Sequence, residues 1–218
     1  ADIASISGDN FGTYRTNLIE GSENFKVSNL YVTNNNQLGS IKDYTALAPN
    51  GTYSASKLVT INGNGFGLQN FKAPITSGQT YTFSIYAKAD DWSRIGVRYY
   101  DGNSYFIRFT FDLVAGQLIG TANGTFTSSD VGNGWYRLSI TGVAGGNNTG
   151  ANLNVECHNT AIVQSGETGT GVEGIFIWGA QFEENSTATN YIPSTDTFTS
   201  RLGNATYVDS NGLIKTAY

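Results

Sequence analysis

Apolar and polar residues alternate with a period of two along much of this 218-residue chain, and helical periodicity is nearly absent. Successive side chains of a β-strand point to opposite faces, so such alternation predicts half-buried strands. In "SYFIRFTFDL" the rule places Tyr105 with Ile107 on one face, opposite Phe106. The segments "YTFSIYAKA", "SRIGVRYYD" and "GWYRLSITGV" repeat the pattern. The chain is therefore predicted to be all-β.

Turn residues separate these runs. Gly and Asn, which favour tight turns, cluster in "APNGT" at 48–52, "TSGQT" at 76–80, "YDGNS" at 100–104 and "DVGNG" at 130–134. Short antiparallel strands joined by such turns predict a β-sandwich, and at this chain length an antiparallel jelly roll is favoured over a closed barrel. The segment "EGIFIWGAQFE" is apolar on both faces, which predicts a central strand that is covered on both sides.

The two ends of the chain lack this alternation. We expect an extended N-terminal strap over 1–13, the jelly-roll sandwich over 14–193 and a C-terminal strap over 194–218. Proline cannot continue a hydrogen-bonded ladder, so Pro193 is expected to close the sandwich. Beyond it, "DSNG" at 209–212 separates two short apolar stretches, which predicts a small hairpin within the C-terminal strap.

The charge of the chain argues against two classes of partner. Lys and Arg number 12 against 17 Asp and Glu, the formal net charge is −5, and the basic residues are scattered singly. A nucleic-acid-binding surface needs a basic patch, so nucleic acid is not expected as a ligand. Apolar runs stay well short of the ~20 residues of a membrane-spanning helix, so membrane insertion is not expected either.

Motifs for catalysis are scarce. The single cysteine, Cys157, shares one strand face with Val155 and is predicted to be a buried core residue. His158, the only histidine, falls on the opposite face, so the two cannot form a nucleophile–base pair, and it has no metal-ligand spacing around it. Carboxylates occur in pairs at 183–184 and 90–91, but acidic residues are too few to favour a glycosidase. We therefore predict that the protein is not an enzyme.

Five segments in a fixed order carry a resemblance to a known family. They are "YRTNLIEGSENFKVSNLYVTNNN" (14–36), "APNGTYSASKLV" (48–59), "TSGQTYTFSIYAKAD" (76–90), "DVGNGWYRLSITG" (130–142) and "GIFIWGAQFEENSTATNYIPST" (174–195). Together they resemble a structural domain frequent in virion proteins of tailed phages and prophages, which is similar to concanavalin-like sandwiches and jelly-roll carbohydrate-binding modules. The resemblance implies a non-enzymatic virion structural protein on the surface of the phage particle: a capsid decoration, head fibre or tail fibre component.

The resemblance also implies partners. These are other phage virion proteins, a host-surface polysaccharide for host attachment, and further copies of the chain, because virion appendages are usually symmetric homo-oligomers. No cofactor is implied, although related sandwiches often hold a structural Ca²⁺, for which Asp130, Glu23 and Asp91 are candidate ligands. The alternative function is that of a free carbohydrate-binding module of a bacterial surface or secreted protein.

The last of the five segments contains residues with expected architectural roles. Trp178 is expected to fill the space between the sheets. Gly179 would let a neighbouring chain approach closely, and Gln181 would satisfy backbone groups inside the domain. Trp135, in "DVGNGWYR", is likewise expected to be structural and follows a turn whose two glycines permit positive φ.

Carbohydrate binding is predicted at a group of aromatic and arginine side chains. Aromatic faces stack on the CH groups of a pyranose ring, while a guanidinium group donates hydrogen bonds to its oxygens. Trp92 follows two aspartates in a predicted turn, where a core residue would be unusual, and is the leading candidate. Tyr100, Tyr105 and Arg108 lie near it in the sequence, across the turn at 101–103. The alternative is that these aromatic residues pack against another subunit, since Tyr and Trp are enriched at protein interfaces.

Overall fold

The chain forms an antiparallel β-sandwich, as predicted. The structure is a computed structural model that describes residues 17–19, 21–25, 41–60, 67–71, 73–148, 153–162 and 167–194, with the backbone of 206–208 and 214–216. This part of the chain contains no helix. Its strands are β1 (Ile41–Ala46), β2 (Ala55–Val59), β3 (Gly67–Phe71), β4 (Thr80–Ala89), β5 (Arg94–Tyr100), β6 (Tyr105–Asp112), β7 (Gln117–Leu118), β8 (Thr125–Gly132), β9 (Trp135–Val143), β10 (Leu153–His158), β11 (Gly174–Glu183), β12 (Thr206–Val208) and β13 (Ile214–Thr216).

Two sheets make up the sandwich. The six-stranded sheet has the order β1-β2-β11-β4-β9-β8, and the five-stranded sheet has the order β3-β10-β5-β6-β7. The described neighbours in both sheets pair antiparallel. Strand β11 lies between β2 and β4, and each of its residues except Phe176 is buried. The prediction of a central strand covered on both sides is therefore confirmed.

Alternation explains the core between the sheets. On β4 the inward side chains of Phe83, Ile85 and Ala87 are fully buried, and on β10 the side chains of Val155 and Cys157 are equally inaccessible. Burying one large apolar side chain contributes roughly 1.5–3 kcal/mol, so the two inner faces supply much of the driving force for folding. The prediction that Cys157 is a core residue is confirmed.

A β-bulge in β6 changes the predicted orientation of two side chains. Strands β5 and β6 pair regularly as far as Tyr99 opposite Ile107, but the next pair is Tyr100 opposite Tyr105, so Phe106 is an extra residue. Phe106 is 8% exposed and packs on the buried ring of Tyr99. Tyr105 instead turns toward two arginines of the outer face. The prediction that Tyr105 shares a face with Ile107, opposite Phe106, is wrong, because a bulge re-aims the side chains beside it.

A buried asparagine joins three segments that are far apart in the sequence. Asn17 is 7% exposed, and its Nδ2 donates to the carbonyls of Ala180 (2.9 Å) and Ile192 (3.1 Å). Its Oδ1 accepts from the N–H groups of Ile19 (3.0 Å) and Phe182 (3.1 Å). Every donor and acceptor site of the amide is used, so one side chain fixes the first described segment against β11 and against the segment that follows it.

Two serines strengthen this junction. The N–H of Ser22 donates to the carbonyl of Ser194 (3.3 Å), and the N–H of Ser194 donates to Oγ of Ser22 (2.8 Å). The N–H of Ala180 donates to the carbonyl of Ser22 (3.0 Å). Oε1 of Gln181 accepts from the N–H of Ile192 (2.6 Å), which confirms that Gln181 satisfies a backbone group.

Gly179 allows the close approach at this junction. Its φ is +60°, and an added Cβ would lie 3.2 Å from Tyr86 and 3.3 Å from Tyr191. The pairing of β11 with β4 shifts register on either side of it, between Trp178 and Gln181. A residue with a side chain would be strained here by its backbone conformation and crowded by both rings, so the predicted role of Gly179 is confirmed.

Trp178 is buried, but it does not lie between the sheets. It is 4% exposed and belongs to a second apolar cluster, with Trp135, that is separate from the main core. Because Ile177 faces the main core, alternation turns Trp178 to the outer face of the six-stranded sheet. There the ring of Tyr191 covers it at a centroid distance of 4.6 Å. The expectation that Trp178 fills the space between the sheets is therefore wrong, whereas the burial expected for Trp135 is confirmed.

Other predicted features lie near the ends and turns of the domain. Gly132 and Gly134 have φ of +89° and +78° in the tight turn between β8 and β9, as expected. Strands β12 and β13 pair antiparallel, which confirms the predicted C-terminal hairpin. The predicted N-terminal strap over 1–13 lies outside the described residues.

Candidate functional site

The outer face of the five-stranded sheet brings together three of the four predicted carbohydrate-binding residues. Arg98 and Arg108 lie directly opposite each other on β5 and β6. Their guanidinium carbons lie 5.8 Å and 5.7 Å from the ring centroid of Tyr105, and the ring of Tyr100 lies 5.2 Å from the same ring. Each cation–π contact stabilises by about 0.5–1 kcal/mol at an exposed site, which offsets part of the repulsion between the arginines. We call Arg98, Tyr100, Tyr105 and Arg108 the tyrosine–arginine cluster.

A buried glutamate compensates the charge of Arg98. Nε of Arg98 donates to Oε1 of Glu156 at 2.5 Å, and the Glu156 side chain is fully buried. The second carboxylate oxygen of Glu156 lies 3.1 Å from Nε2 of His158, which is also fully buried. Removing one partner of a buried ion pair leaves an uncompensated charge in a medium of low polarity, so this arrangement holds Arg98 firmly in place.

Residues 159–161, directly after β10, are anchored beside His158 by a second glutamate. Glu167 lies 3.6 Å from Nδ1 of His158 and accepts hydrogen bonds from the N–H groups of Asn159 (2.7 Å), Thr160 (2.6 Å) and Ala161 (2.9 Å). Partial burial alone would raise the pKa of Glu167, but these backbone donors outweigh it and lower the pKa. Glu167 therefore remains a carboxylate at neutral pH and holds residues 159–161 beside His158.

The turn between β5 and β6 is anchored by a second carboxylate. Asp101 is buried, and its oxygens accept from the N–H groups of Asn103 (2.8 Å), Ser104 (2.8 Å) and Gly145 (2.7 Å). Burial alone would raise the pKa of Asp101, but the three backbone donors outweigh it and the pKa is lowered. The turn that positions Tyr100 and the start of β6 is thus fixed by charge-assisted hydrogen bonds.

A groove of about 310 Å³ opens beside the tyrosine–arginine cluster. Arg108 and Thr110 of β6 line it, together with Ile119, Asn123 and Ile162. Ligand pockets commonly measure ~300–1,000 Å³, so the groove is large enough for a small ligand or for one end of a larger one. Ile162 is 45% exposed and brings an apolar contact surface to the edge of the groove.

Trp92 does not belong to this surface. It is 7% exposed and packs in the main core, and its backbone N–H donates to the carbonyl of Gly174 (3.0 Å). Lys57 fixes the preceding turn through ion pairs of 2.5 Å with both Asp90 and Asp91. Burial tends to lower the pKa of Lys57, but the two carboxylates outweigh it and raise the pKa. The expectation that Trp92 is exposed in a turn is wrong, because the turn directs the ring inward.

The carboxylates considered for Ca²⁺ already have partners. Asp130 accepts from the N–H of Gly132 (2.8 Å), Glu23 accepts from the hydroxyl of Tyr191 (3.1 Å), and Asp91 pairs with a lysine. Within the described ranges, no group of three or more His, Cys, Asp and Glu side chains could hold a metal ion.

The chemistry of the cluster suits a ligand rich in hydroxyl groups. Tyrosine offers a ring face and a hydroxyl group, and arginine offers several N–H donors in a fixed plane. Sequence reasoning missed Glu156 as the group that holds Arg98 and Glu167 as the group that holds residues 159–161. A signal for Glu156 exists, because Glu156 and His158 are the charged or polar residues opposite Val155 and Cys157 on a strand whose other face is core.

Comparison of the sequence with models of known protein families gives no match, and no curated protein is similar to it at a significant level. No helix able to cross a bilayer occurs in the part of the chain that the structure describes. The fold defines the class of the protein: it is an all-β protein built as an antiparallel β-sandwich.

Proposed function

We propose that the protein is a non-enzymatic structural component of a phage virion, a capsid decoration, head fibre or tail fibre protein on the particle surface. Its sandwich would bind neighbouring virion proteins and host-surface glycans. The proposal rests on the five-segment resemblance, and one observation supports treating those segments as a unit. Residues of the first and last segments, Asn17 with Ala180 and Ser22 with Ser194, are joined by buried or half-buried hydrogen bonds.

The glycan part of the proposal rests on the tyrosine–arginine cluster. Tyr100 is 40% exposed, and Tyr105 and Arg108 are half-buried, so ring edges and donors reach the surface beside a groove. Arg98 is held by a buried glutamate and Tyr100 by an anchored turn, so the binding groups are largely preorganised. Preorganisation reduces the entropic cost of binding a flexible saccharide.

We further propose that the sandwich is a jelly roll. Strands β2, β11, β4 and β9 are neighbours in one sheet, and β3, β10, β5 and β6 are neighbours in the other. From β2 to β5 each successive strand changes sheet, and the same holds from β9 to β11. Such alternation is expected when two Greek keys are wound into one sandwich.

Gold-labelled antibody imaging of intact particles from the source tests the virion proposal. Label on the head would support a decoration or head-fibre protein, and label on the tail would support a tail fibre that contacts the host. Particles without label would refute the virion proposal. The second candidate, a free carbohydrate-binding module of a bacterial surface or secreted protein, would then be favoured by the same tyrosine–arginine cluster.

Binding of host cells or their polysaccharide tests the glycan proposal. Truncating a central binding residue commonly costs more than 1 kcal/mol, so Tyr105→Ala and Arg108→Ala should each weaken binding by roughly tenfold. The matched control is Tyr53→Ala, since Tyr53 is an exposed tyrosine on the turn before β2. If all three variants bind as tightly as the wild-type protein and keep its melting temperature, the glycan site is refuted.

A further inference from the structure

A second polar groove, of about 410 Å³, lies over the outer face of β8 and β9, on the sheet opposite the tyrosine–arginine cluster. Three cross-strand pairs line its floor: Thr125 with Thr141, Thr127 with Ser139, and Ser129 with Arg137. Residues 186–188 form its wall. Its size falls within the ~300–1,000 Å³ that ligand pockets commonly occupy.

Hydrogen bonds between hydroxyl groups fix the floor and the wall together. Oγ1 of Thr127 lies 2.7 Å from Oγ of Ser139, and Oγ1 of Thr82 lies 2.7 Å from Oγ1 of Thr141. Thr82 also donates to the carbonyl of Asn185 (2.8 Å), directly before the wall. The groove is therefore formed by rigid strands and by a loop that is bonded to them, which lowers the cost of ordering it around a ligand.

Arg137 is the only charged side chain that lines the groove within the described part of the chain. It donates through Nη2 to the carbonyl of Thr189, and its guanidinium carbon lies 5.5 Å from the ring centroid of Tyr86. Its Nε is buried and has no hydrogen-bond partner, and none of the described carboxylates forms an ion pair with it. Glu183, which bonds the backbone and hydroxyl of Thr189, is not among the lining residues.

This arrangement favours an anion that also carries many hydroxyl groups. A guanidinium group without a counterion in a partly desolvated groove attracts a carboxylate through its charge, and charge-assisted hydrogen bonds are the stronger ones. Ser and Thr hydroxyls donate and accept, so the paired rows on the floor can bind sugar hydroxyls. Ala188 is the only apolar side chain among the described lining residues, whereas the centre of a protein interface is usually apolar.

We propose that this groove binds an acidic oligosaccharide, with the sugar carboxylate at Arg137 and the sugar hydroxyls along the Ser/Thr floor. The site lies on a different sheet from the tyrosine–arginine cluster, so the inference stands whether or not that cluster binds glycan. It adds a ligand class, uronic or sialic acid sugars, to the protein.

Amide chemical shifts of the ¹⁵N-labelled chain test the proposal and locate the binding. The probes are trigalacturonate, trimannuronate and sialyllactose, each beside its uncharged methyl ester. We expect at least one acid to shift the amides of β8, β9 and 186–188 saturably, and its ester to bind at least about fivefold more weakly, because one charge interaction is lost. The proposal is overturned if no acid shifts these amides, if ester and acid bind equally, or if the shifts are confined to the tyrosine–arginine cluster.

A matched pair of variants tests the role of charge without replacing Arg137. Ser129 is exposed on the edge strand and lies opposite Arg137. Ser129→Asp places a negative charge beside Arg137 and the bound carboxylate and should weaken the binding of the acid at least about fivefold. Ser129→Asn introduces a side chain of nearly the same shape as Asp but without charge, and it should leave the affinity nearly unchanged. Equal effects of the two changes would overturn the proposal. Arg137→Gln should abolish acid binding, and if that variant fails to fold, the Ser129 pair decides.

Discussion

The buried amide of Asn17 offers the sharpest test of how the domain is closed. Asn17→Ala leaves the N–H groups of Ile19 and Phe182, and the carbonyls of Ala180 and Ile192, without this partner. A buried donor without a partner costs about 1–3 kcal/mol, and the carbonyls are less demanding because each has two lone pairs. With two donors affected, we expect the free energy of unfolding to fall by roughly 3 kcal/mol.

Asn17→Asp separates hydrogen bonding from size. The change keeps the shape and one acceptor oxygen, but it places an oxygen where Nδ2 donates to two carbonyls. A buried carboxylate in that position is disfavoured when ionised, so its folded pKa rises. The variant should therefore be less stable than Asn17→Ala at neutral pH and should recover stability relative to wild type as the pH falls, because the protonated acid regains one donor.

Urea unfolding followed by tryptophan fluorescence measures both changes. The control is Asn190→Ala, because Asn190 is exposed and its side chain makes no hydrogen bond within the described ranges. We expect that control to stay within about 0.5 kcal/mol of wild type. A loss below about 1 kcal/mol for Asn17→Ala, with an unchanged slope against urea, would refute the role assigned to this amide.

Three further outcomes follow from the structure. The lowered pKa of Asp101 means that its stabilising effect is complete above the ordinary carboxyl pKa and is lost as the pH falls through the lower folded pKa. Asp101→Asn should therefore flatten the acidic part of the curve of unfolding free energy against pH, and an unchanged curve would contradict this. Trp92→Ala removes a buried ring and should cost about 3–5 kcal/mol, so a melting temperature within a few degrees of wild type would show that the ring is not part of the core. Glu156→Ala leaves Arg98 without its buried counterion and should lower the free energy of unfolding, measured with denaturant, by about 3–5 kcal/mol. Glu184→Ala, at an exposed position, is the control and should have little effect. Equal stability of the two variants would exclude the ion pair as a stabilising element.

Much of the architecture follows from alternation alone. Phe83 and Ile85 on β4, and Val155 and Cys157 on β10, face the core as their period of two predicts. These strands pair in continuous register with a neighbour, so each residue keeps its expected face. The apolar run of β11 likewise indicates a strand with neighbours on both sides.

Alternation fails where geometry depends on a contact that is remote in sequence. Nothing in the residues around Phe106 marks it as the extra residue of a bulge, yet that one insertion turns Tyr105 to the outer face. For Trp178, alternation separates two faces but cannot say which one meets the other sheet, and here Tyr191 buries the outer one.

The candidate site was predictable only in part, for the same reason. Tyr100, Tyr105 and Arg108 are close in sequence, so a hairpin brings them together whatever the rest of the fold does. Trp92 also sits at a turn, but its hydrogen bond to Gly174 of β11 ties that turn down and directs the ring inward. Such a partner is more than eighty positions away, and a turn signal carries no information about it.

The contact between Ser22 and Ser194 has a mechanical consequence. Because these residues lie side by side, the polypeptide enters and leaves the sandwich at adjacent points. Tension carried along the chain would cross from one flank to the other through this contact, and the hydrogen bonds of Asn17 and Ser22 to β11 would share the load. Most of the sandwich would then lie to one side of the path along which the force is transmitted. Rupture of the serine contact would pass the whole force to the hydrogen bonds that join Asn17 and Ser22 to β11.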